Sequence, residues 1–547
     1  MGAWRSRLLQ DRVDRRNSGT GLKFAFVAVF PAVCNDYRPR QVVSGKGGKR
    51  PQVDPTAAIV RFQATRKSCQ GPKASRRLPS IPPPSRPPMK SRLLLFLLAG
   101  LCSVAAVPAS ASASEKPNIV FILADDLGYA DIGAMGAKDI ATPNLDRLAA
   151  EGVKLTDFHS NAPVCSPTRC GFITGRWQQR VGFEWALGFS AESEKLVDGK
   201  WIKPTDMHGA IGLPATTPGI AKMLRSGGYA TGAFGKWHLG FADEYNPLHH
   251  GFDEYFGELL GHADYYRHDY YDGTHALRDG LDPVKKEGYL TDLINERAAA
   301  FVKKQVTAKR PFFCYVPHLA VHAPFQPPGR PEPAVTKANM YDGSRAIYAA
   351  MVEKIDEGVG MILTELEAAG VAENTLIVFS SDNGGERWSD NRPLFHHKAT
   401  LWEGGIRVPC LMRWPARLPK GKESAQLGIT MDLTATFAAA AGVTPPEGHV
   451  FDGIDLVPIL SGEAPPADRT LFWRIDRSNR KMRVVRHGKW KYLDDGGTMD
   501  LLFDLDTDLG ERHNLHYTHP EIVADLKERL AAWEAEMERE PKTFRVR

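Results

Sequence analysis

Lys116-Pro-Asn-Ile-Val-Phe-Ile-Leu-Ala124-Asp125-Asp126-Leu-Gly128 decides the architecture of this chain. Ile119 to Leu123 is an unbroken apolar run. A strand with one wet face alternates apolar and polar residues. A run without alternation predicts a strand covered on both faces, as in the parallel sheet of an α/β protein. Two carboxylates follow at once. Ligands of open α/β sheets sit beyond the carboxyl ends of the strands. Adjacent acids at a buried strand end repel unless a cation neutralises them, and hard divalent metals take such oxygen ligands. The same grammar returns at Thr375-Leu-Ile-Val-Phe-Ser380, followed by Ser381-Asp382-Asn383-Gly384-Gly385. Alone, Asp-Asp or Asp-Asn-Gly is ordinarily a turn. Two such sites at strand ends, far apart in sequence, are what one shared metal site requires.

Two further strands carry polar residues past their ends. Tyr229 to Phe234 runs into Gly235-Lys236-Trp237-His238-Leu239-Gly240, where Lys236 and His238, two apart on an extended segment, point the same way. Pro311 to Val316 runs into Pro317-His318-Leu-Ala-Val-His322-Ala-Pro324. His318 and His322 have the spacing of a zinc helix, but the flanking prolines argue against a regular helix. Helices are predicted at Thr142–Gly152, Leu213–Gly227 and 344–370, with another from Asp432. The pattern predicts a doubly wound α/β domain, its sheet mixed but mainly parallel, over residues 115–466. Residues 467–547 predict a smaller α+β unit. Its candidate strands are Thr470–Ile475, Lys481–Arg486 and Lys489–Leu493; Leu502–Asp506 comes next, then a charged helix over about Pro520–Glu538.

Between the first two strands lies Cys165-Ser-Pro-Thr-Arg-Cys-Gly-Phe-Ile-Thr-Gly-Arg176. A free cysteine is commonly a small buried hydrophobe, and Pro167 suits a helix start with Ser166 as its cap. The full segment, however, resembles the signature of the formylglycine-dependent sulfatases, of the arylsulfatase and N-acetylgalactosamine-sulfatase type, within the alkaline-phosphatase-like superfamily. The resemblance covers about residues 116–547 and implies an alkaline-phosphatase-like fold with a small C-terminal domain whose sheet is antiparallel. It implies that Cys165 is oxidised after synthesis to an aldehyde, 3-oxoalanine, with Cys170 a bystander. An aldehyde hydrates to a geminal diol. One hydroxyl, aided by a metal and a base, attacks sulfur and the alcohol leaves. The other then loses its proton, the C–O bond breaks, and the aldehyde returns as sulfate departs.

The resemblance extends to the other motifs. It implies that Asp125, Asp126, Asp382 and Asn383 bind one Ca²⁺, or Mg²⁺, beside Cys165. Arg169 joins the catalytic set. Lys236 holds sulfate oxygens, a role suited to a cation where oxygen charge shifts during transfer. His238 orients the diol. Val321-His322-Ala-Pro324 matches a motif whose histidine is general acid to the leaving alcohol, a role placed on His322 with His318 as the other candidate. His396-His397-Lys398-Ala-Thr-Leu-Trp-Glu403-Gly-Gly-Ile-Arg407-Val-Pro409 matches a segment in which Lys398 binds sulfate and the leaving oxygen. Here Ala399 stands where glycine is common. Glu403 and Arg407 read as residues that hold this loop.

The first 113 residues read differently. They carry 20 Lys and Arg against 4 Asp and Glu, a net of +16 in a chain whose total is +6, so the remainder stands at −10. The basic balance belongs to this leader, and no nucleic-acid partner follows from it. Met89-Lys-Ser-Arg92, the apolar Leu93–Val107 and the small residues Ala109–Ala113 have the order of a secretory signal peptide. Residues 89–113 are therefore expected to be that signal, and 1–88 a mis-called or disordered basic extension, with translation starting at Met1 or Met89. No membrane span appears beyond it. Four cysteines follow (165, 170, 314 and 410), too few for a disulfide scaffold. The expected setting is bacterial, periplasmic or secreted.

The function expected is hydrolysis of sulfate esters, with a sulfated sugar or polysaccharide favoured by export and by the aromatic stretch His262–Gly273. That stretch suits either sugar stacking or surface packing. A sulfatase-maturing, formylglycine-generating enzyme is the implied partner. The alternatives are a phosphoester or phosphonate-ester hydrolase of the same superfamily, which commonly needs a second metal, and a catalytically silent sulfoglycan-binding protein. Cys165→Ser is expected to abolish steady-state turnover and to trap a sulfated enzyme, since serine lacks the second hydroxyl. Normal sulfate release by that variant would overturn the mechanism.

Overall fold

A computed structural model describes residues 116–546, apart from 189–192, 204–210, 332–333, 478–479 and 498. The segments read as a basic extension and a signal peptide, with Met89, lie outside the described residues. Among the described residues no helix is long and apolar enough to cross a membrane.

A ten-stranded sheet organises the chain. Its order is Lys422–Ser424, Val153–Leu155, Cys410–Arg413, Thr375–Ser381, Asn118–Ala124, Phe312–Pro317, Ala230–Lys236, Glu254–Glu258, Arg278–Asp279, Asp282–Pro283. The five strands from Thr375–Ser381 to Glu254–Glu258 are parallel. Antiparallel pairs appear only toward the two edges. Asn118–Ala124 lies at the centre and is buried on both faces, as its apolar run predicts. Ile119, Phe121 and Leu123 join one apolar layer with Phe172 and Phe437, from the helices Cys165–Thr174 and Thr430–Ala441. Val120, Ile122 and Ala124 join the other, with Phe301 and Ile355 from Leu290–Thr307 and Arg345–Ala368. The two faces of one strand thus fix a helix layer on each side of the sheet.

Local chemistry sets the helix ends. Ser344 Oγ accepts from Ile347 N at the start of Arg345–Ala368. The helix Pro143–Ala150 is capped from outside: Asp356 accepts from Asn144 N and Leu145 N at 3.2 and 2.7 Å. Thr142 makes no cap bond; its Oγ1 accepts from Gly133 N at 2.8 Å. The helix expected over Leu213–Gly227 is shorter, Ile220–Ser226. Pro218 disfavours helical backbone at Thr217, and Leu213 N is drawn to Leu239 O at 2.7 Å.

The C-terminal unit is a four-stranded antiparallel sheet of Thr470–Arg477, Arg480–His487, Trp490–Asp494 and Asp500–Asp504, covered by the helix Pro520–Met537. Its core, with Trp473, Leu493 and Trp533, is continuous with Val164, Trp185, Leu401 and Ile406 beside the large sheet. A last strand, Phe544–Val546, returns to pair with Ser193–Val197. Buried charge also ties the units. Lys491 Nζ lies 2.9 Å from Glu403 Oε1 and 2.7 Å from Glu511 Oε1, and all three side chains are fully enclosed. Removing one partner of such a set leaves uncompensated charge in a dry place. Lys491→Met is expected to cost about 3–5 kcal/mol of unfolding free energy in urea or guanidinium titration; a loss under about 1 kcal/mol, typical of an exposed pair, would refute the clamp.

Candidate active site

Four neighbouring parallel strands deliver the polar residues to one edge of the sheet. Ala124 leads into Asp125 and Asp126, Ser381 into Asp382 and Asn383, Pro317 into His318–His322, and Lys236 closes its own strand. Cys165 meets them from the side as the first residue of the helix Cys165–Thr174, after Val164 in extended conformation. The helix starts there because its polar side chains are used locally. Ser166 Oγ accepts from Leu187 N at 2.9 Å, and Thr168 Oγ1 bonds both N and O of Ala162. Ser166 is therefore not the cap, although the helix itself agrees with the plain reading of Pro167.

Arg169, one turn on, is wholly buried and ties the strand ends together. It donates to Asp382 Oδ2 at 3.0 and 2.8 Å, to Asp125 Oδ2 at 3.1 Å and to Lys236 O at 2.7 Å. Lys236 Nζ is bound to Asp125 Oδ2, and Lys398 Nζ to Asp126 Oδ2 at 2.7 Å. Cys165 Sγ lies 3.5 Å from Asp125 Oδ1. His322 Nδ1 donates to Ala323 O at 2.6 Å, which leaves Nε2 facing Asp126 Oδ2 at 3.7 Å. His238, at φ +59°, has Nε2 on Leu187 O at 2.8 Å, and its Nδ1 is buried without a hydrogen-bond partner. Gly261 makes room for that ring, since a Cβ there would stand 2.7 Å from His238 Cε1.

Burial and charge pull these groups apart in proton affinity. Burial raises the Asp125 carboxyl above its ordinary value against the pull of Lys236 and Arg169. At Asp126 burial also acts upward, but Lys398, His322 and Lys236 outweigh it and hold the carboxyl low. Burial, then Asp125, lifts Asp382 to about 6. Burial, then Lys398 and Lys236, lowers His322 to about 3. Burial and Lys236 put His238 well below the imidazole range. Burial and Asp125 push the Cys165 thiol up.

The donor set suits a hard divalent cation. Donor atoms of Asp125, Asp126, Cys165 and His322 lie within 4.8 Å of one another. Asn383 adds the most direct sign. Its Nδ2 donates to Asp126 Oδ1 at 2.7 Å, while its buried Oδ1 has no hydrogen-bond partner. Asp382 Oδ2 is taken by Arg169, and its Oδ1 is 3.4 Å from Asp126 N. A second acidic group, Asp157, His159 and Glu403, is filled by Arg407, Arg486 and Lys491 and reads as an ionic joint. Glu403 and Arg407 hold each other and their loop, with Arg407 also reaching Thr156 O at 3.0 Å.

A cleft of about 590 Å³ opens over Cys165, His238, His322 and Lys398. His318 is not among its lining residues; burial alone lowers its imidazole to about 3, and no site charge acts on it. The aromatic loop divides between its two readings. Tyr265 and Tyr270 are core residues, Tyr265 stacking on Tyr289 at 5.2 Å. His262 and Tyr271 line the cleft, stacked on each other at 4.7 Å. Sequence reasoning missed Trp185, Lys337, Tyr341, Glu386 and Arg477, which complete the walls. They come from loops and from the small sheet, so no spacing rule unites them.

Residues 117–443 match the family model described as Sulfatase, and residues 392–536 match N-sulphoglucosamine sulphohydrolase, C-terminal. The chain is 35% identical over 399 residues to N-acetylgalactosamine-6-sulfatase of Canis lupus familiaris, covering 70% of this chain and 72% of the relative. It is 33% identical over 401 residues to arylsulfatase G of Homo sapiens, covering 65% and 71%. The solved structure of Ps i-CgsB in complex with k-i-k-neocarrahexaose is similar at a TM-score of 0.67 and 32% identity, over 76% of this chain and 92% of that one. On this evidence the chain belongs to the sulfatase family and is a sulfuric ester hydrolase.

Proposed function

We propose that this enzyme removes sulfate from sulfated sugars, using Cys165 in its 3-oxoalanine form as nucleophile. One observation carries the reading: Cys165, Lys236, His238, His322 and Lys398 converge with three buried aspartates at the ends of four adjacent strands. Both named relatives are sulfatases, and the similar solved structure holds an oligosaccharide. Asp125, Asp126, Asp382 and Asn383 would hold Ca²⁺ or Mg²⁺ with the modified residue 165. The ion supplies Lewis-acid polarisation of sulfate oxygen, and the hydrated aldehyde supplies an attacking hydroxyl plus a second hydroxyl for release.

The chain's own residues do the rest. Arg169 fixes Asp125 and Asp382 against each other, so the carboxylates cannot drift as charge changes. Lys236 and Lys398, both of which act electrostatically on residue 165, take the sulfate oxygens, the second also reaching the leaving oxygen. His238 holds the nucleophilic residue in orientation through its free Nδ1. His322 donates a proton from Nε2 to the leaving alcohol. The imidazole is neutral among lysines, and an arriving sulfate monoanion raises its proton affinity. The protein is read as exported, with a maturing enzyme as its partner. A phosphoester or phosphonate-ester hydrolase remains the second reading, yet the second acidic cluster is already neutralised by Arg407, Arg486 and Lys491.

Peptide mass spectrometry across Cys165 in protein from the native host tests the reading: conversion lowers the mass by about 18 Da. An intact thiol would remove the nucleophile and favour the silent binding protein. Calcium at a hundredfold excess over its Kd is expected to raise unfolding free energy by about 2.7 kcal/mol, and Asn383→Ala to diminish that gain. Melting curves unmoved by calcium and by chelator would refute the metal site. Gly261→Ala forces the His238 ring aside and is expected to lower kcat by about tenfold or more with KM little changed; unchanged kcat would remove His238 from the mechanism.

A further inference from the structure

The aromatic stretch His262–Gly273 has one member whose hydroxyl closes on the backbone beside the catalytic groups. Tyr270 is buried. Its OH accepts from Leu259 N and Leu260 N, both at 3.2 Å, and donates to Glu258 Oε2 at 3.4 Å. The segment so gathered leaves the strand Glu254–Glu258, where Glu258 stands in register with Lys236 of the neighbouring parallel strand. Past the strand ends the two chains stay paired. Glu258 O accepts from Trp237 N at 2.9 Å, and Leu259 O accepts from His238 N at 3.1 Å. Gly261 then walls the His238 ring, a Cβ there standing 2.7 Å from Cε1. Residues 258–261 are therefore the seat of His238. That histidine lies at φ +59°, and its ring is hydrogen-bonded at Nε2, to Leu187 O, with Nδ1 unpartnered among the described residues. A non-glycine residue at positive φ persists only where its surroundings hold it. On the far side of the seat, pairing with the strand Arg278–Asp279 stops at Gly257. The N–H groups of Leu259 and Leu260 meet Tyr270 instead of a strand. Tyr270 is fixed in turn by its N–H on Thr274 O at 2.8 Å and by edge contacts with the Phe241 and His262 rings.

We propose that Tyr270 and Glu258 are positioning residues that anchor His238 for the reaction, acting through the segment Glu258–Gly261 and not on substrate. The anchor rests on the role proposed for His238 above and adds two residues to it. Loss of the Tyr270 oxygen leaves two buried backbone donors without an acceptor, so the seat must shift to satisfy them. A small displacement of a catalytic group is felt in kcat well before it is felt in binding. Glu258 is buried, and burial lifts its carboxyl to about 8 against Lys236 and Arg169, so at neutral pH glutamine is its uncharged mimic. The next residue, Tyr271, lines the cleft with His262, so the loop that walls the cleft also seats the histidine.

The test is a double-mutant cycle on the full-length enzyme with its Cys165 aldehyde in place, assayed on 4-nitrophenyl sulfate or galactose 6-sulfate, whichever it turns over faster. Tyr270→Phe keeps the ring and removes the shared oxygen; it is expected to lower kcat about tenfold with KM within about twofold of the parent. In a His238→Ala background the same change is expected to lower kcat by less than about twofold, because the group it positions is gone. Glu258→Gln keeps an acceptor oxygen and is expected to stay within about twofold of the parent kcat, while Glu258→Met falls with Tyr270→Phe. That contrast decides the question should Tyr270→Phe melt too low to assay. If the losses from Tyr270→Phe and His238→Ala multiply, if Tyr270→Phe keeps the parent kcat, or if Glu258→Gln and Glu258→Met lower it alike, the anchor is wrong. If His238→Ala itself keeps the parent kcat, the role of that histidine fails and the anchor with it. If the converted enzyme hydrolyses neither ester, the sulfatase reading of the site is what fails.

Discussion

Asp125, Asp126 and Asp382 are enclosed side by side; Arg169 and Lys236 are enclosed with them, and Lys398 reaches Asp126 from the cleft wall. Carboxylates that close in a dry interior cannot all ionise without compensation. This constraint dictates much of the structure. It fixes where the helix Cys165–Thr174 begins, because Arg169 must arrive one turn below Cys165 with its fork between two strand ends. It fixes the length of the strand Ala230–Lys236, which delivers Lys236 to Asp125 and its carbonyl to Arg169. It also fixes the loop that brings Lys398 back over Asp126.

The small sheet takes part in that last requirement. Lys491 holds Glu403, Glu403 holds Arg407, and the loop between Lys398 and Arg407 is thereby pinned at its far end. Trp473 Nε1 donates to Ser160 O at 2.8 Å, just upstream of Cys165. The C-terminal unit thus braces both loops that flank the nucleophilic position and adds Arg477 to the cleft. Its contribution combines packing and placement, and the two cannot be separated by cutting the chain between them.

Much of this was legible in the linear text, for identifiable reasons. Ile119–Leu123 reads as a central strand because both its faces are apolar, and the acids beyond it read as a site because strand ends are where parallel sheets are open. The long helix and the small sheet's strands were expected within a few residues of where they lie. The helix over Leu213–Gly227 was over-extended because its start is governed by Pro218 and by a distant carbonyl, Leu239 O. The outer cleft was not legible. Trp185, Glu386 and Arg477 meet only after the small sheet docks and Val546 pairs beside Trp185, and no local pattern encodes a meeting of that kind. The aromatic loop was half legible: its composition signalled packing and contact, and only the fold assigns Tyr265 to one and Tyr271 to the other.

Cys165 is 2% exposed and lies in the first turn of a helix packed against the central sheet. An oxidising enzyme that works on a peptide in its own active site needs that segment extended and accessible, which the native chain does not offer. The modification proposed for this residue therefore belongs to the interval before folding. Two fates compete for each new molecule. On the proposed conversion, chains modified in time would become catalysts, while chains that fold first would keep a buried thiol. The proportion of active protein would then be a kinetic outcome fixed at birth, set by the speed of that conversion relative to collapse of the Cys165–Thr174 helix onto the sheet.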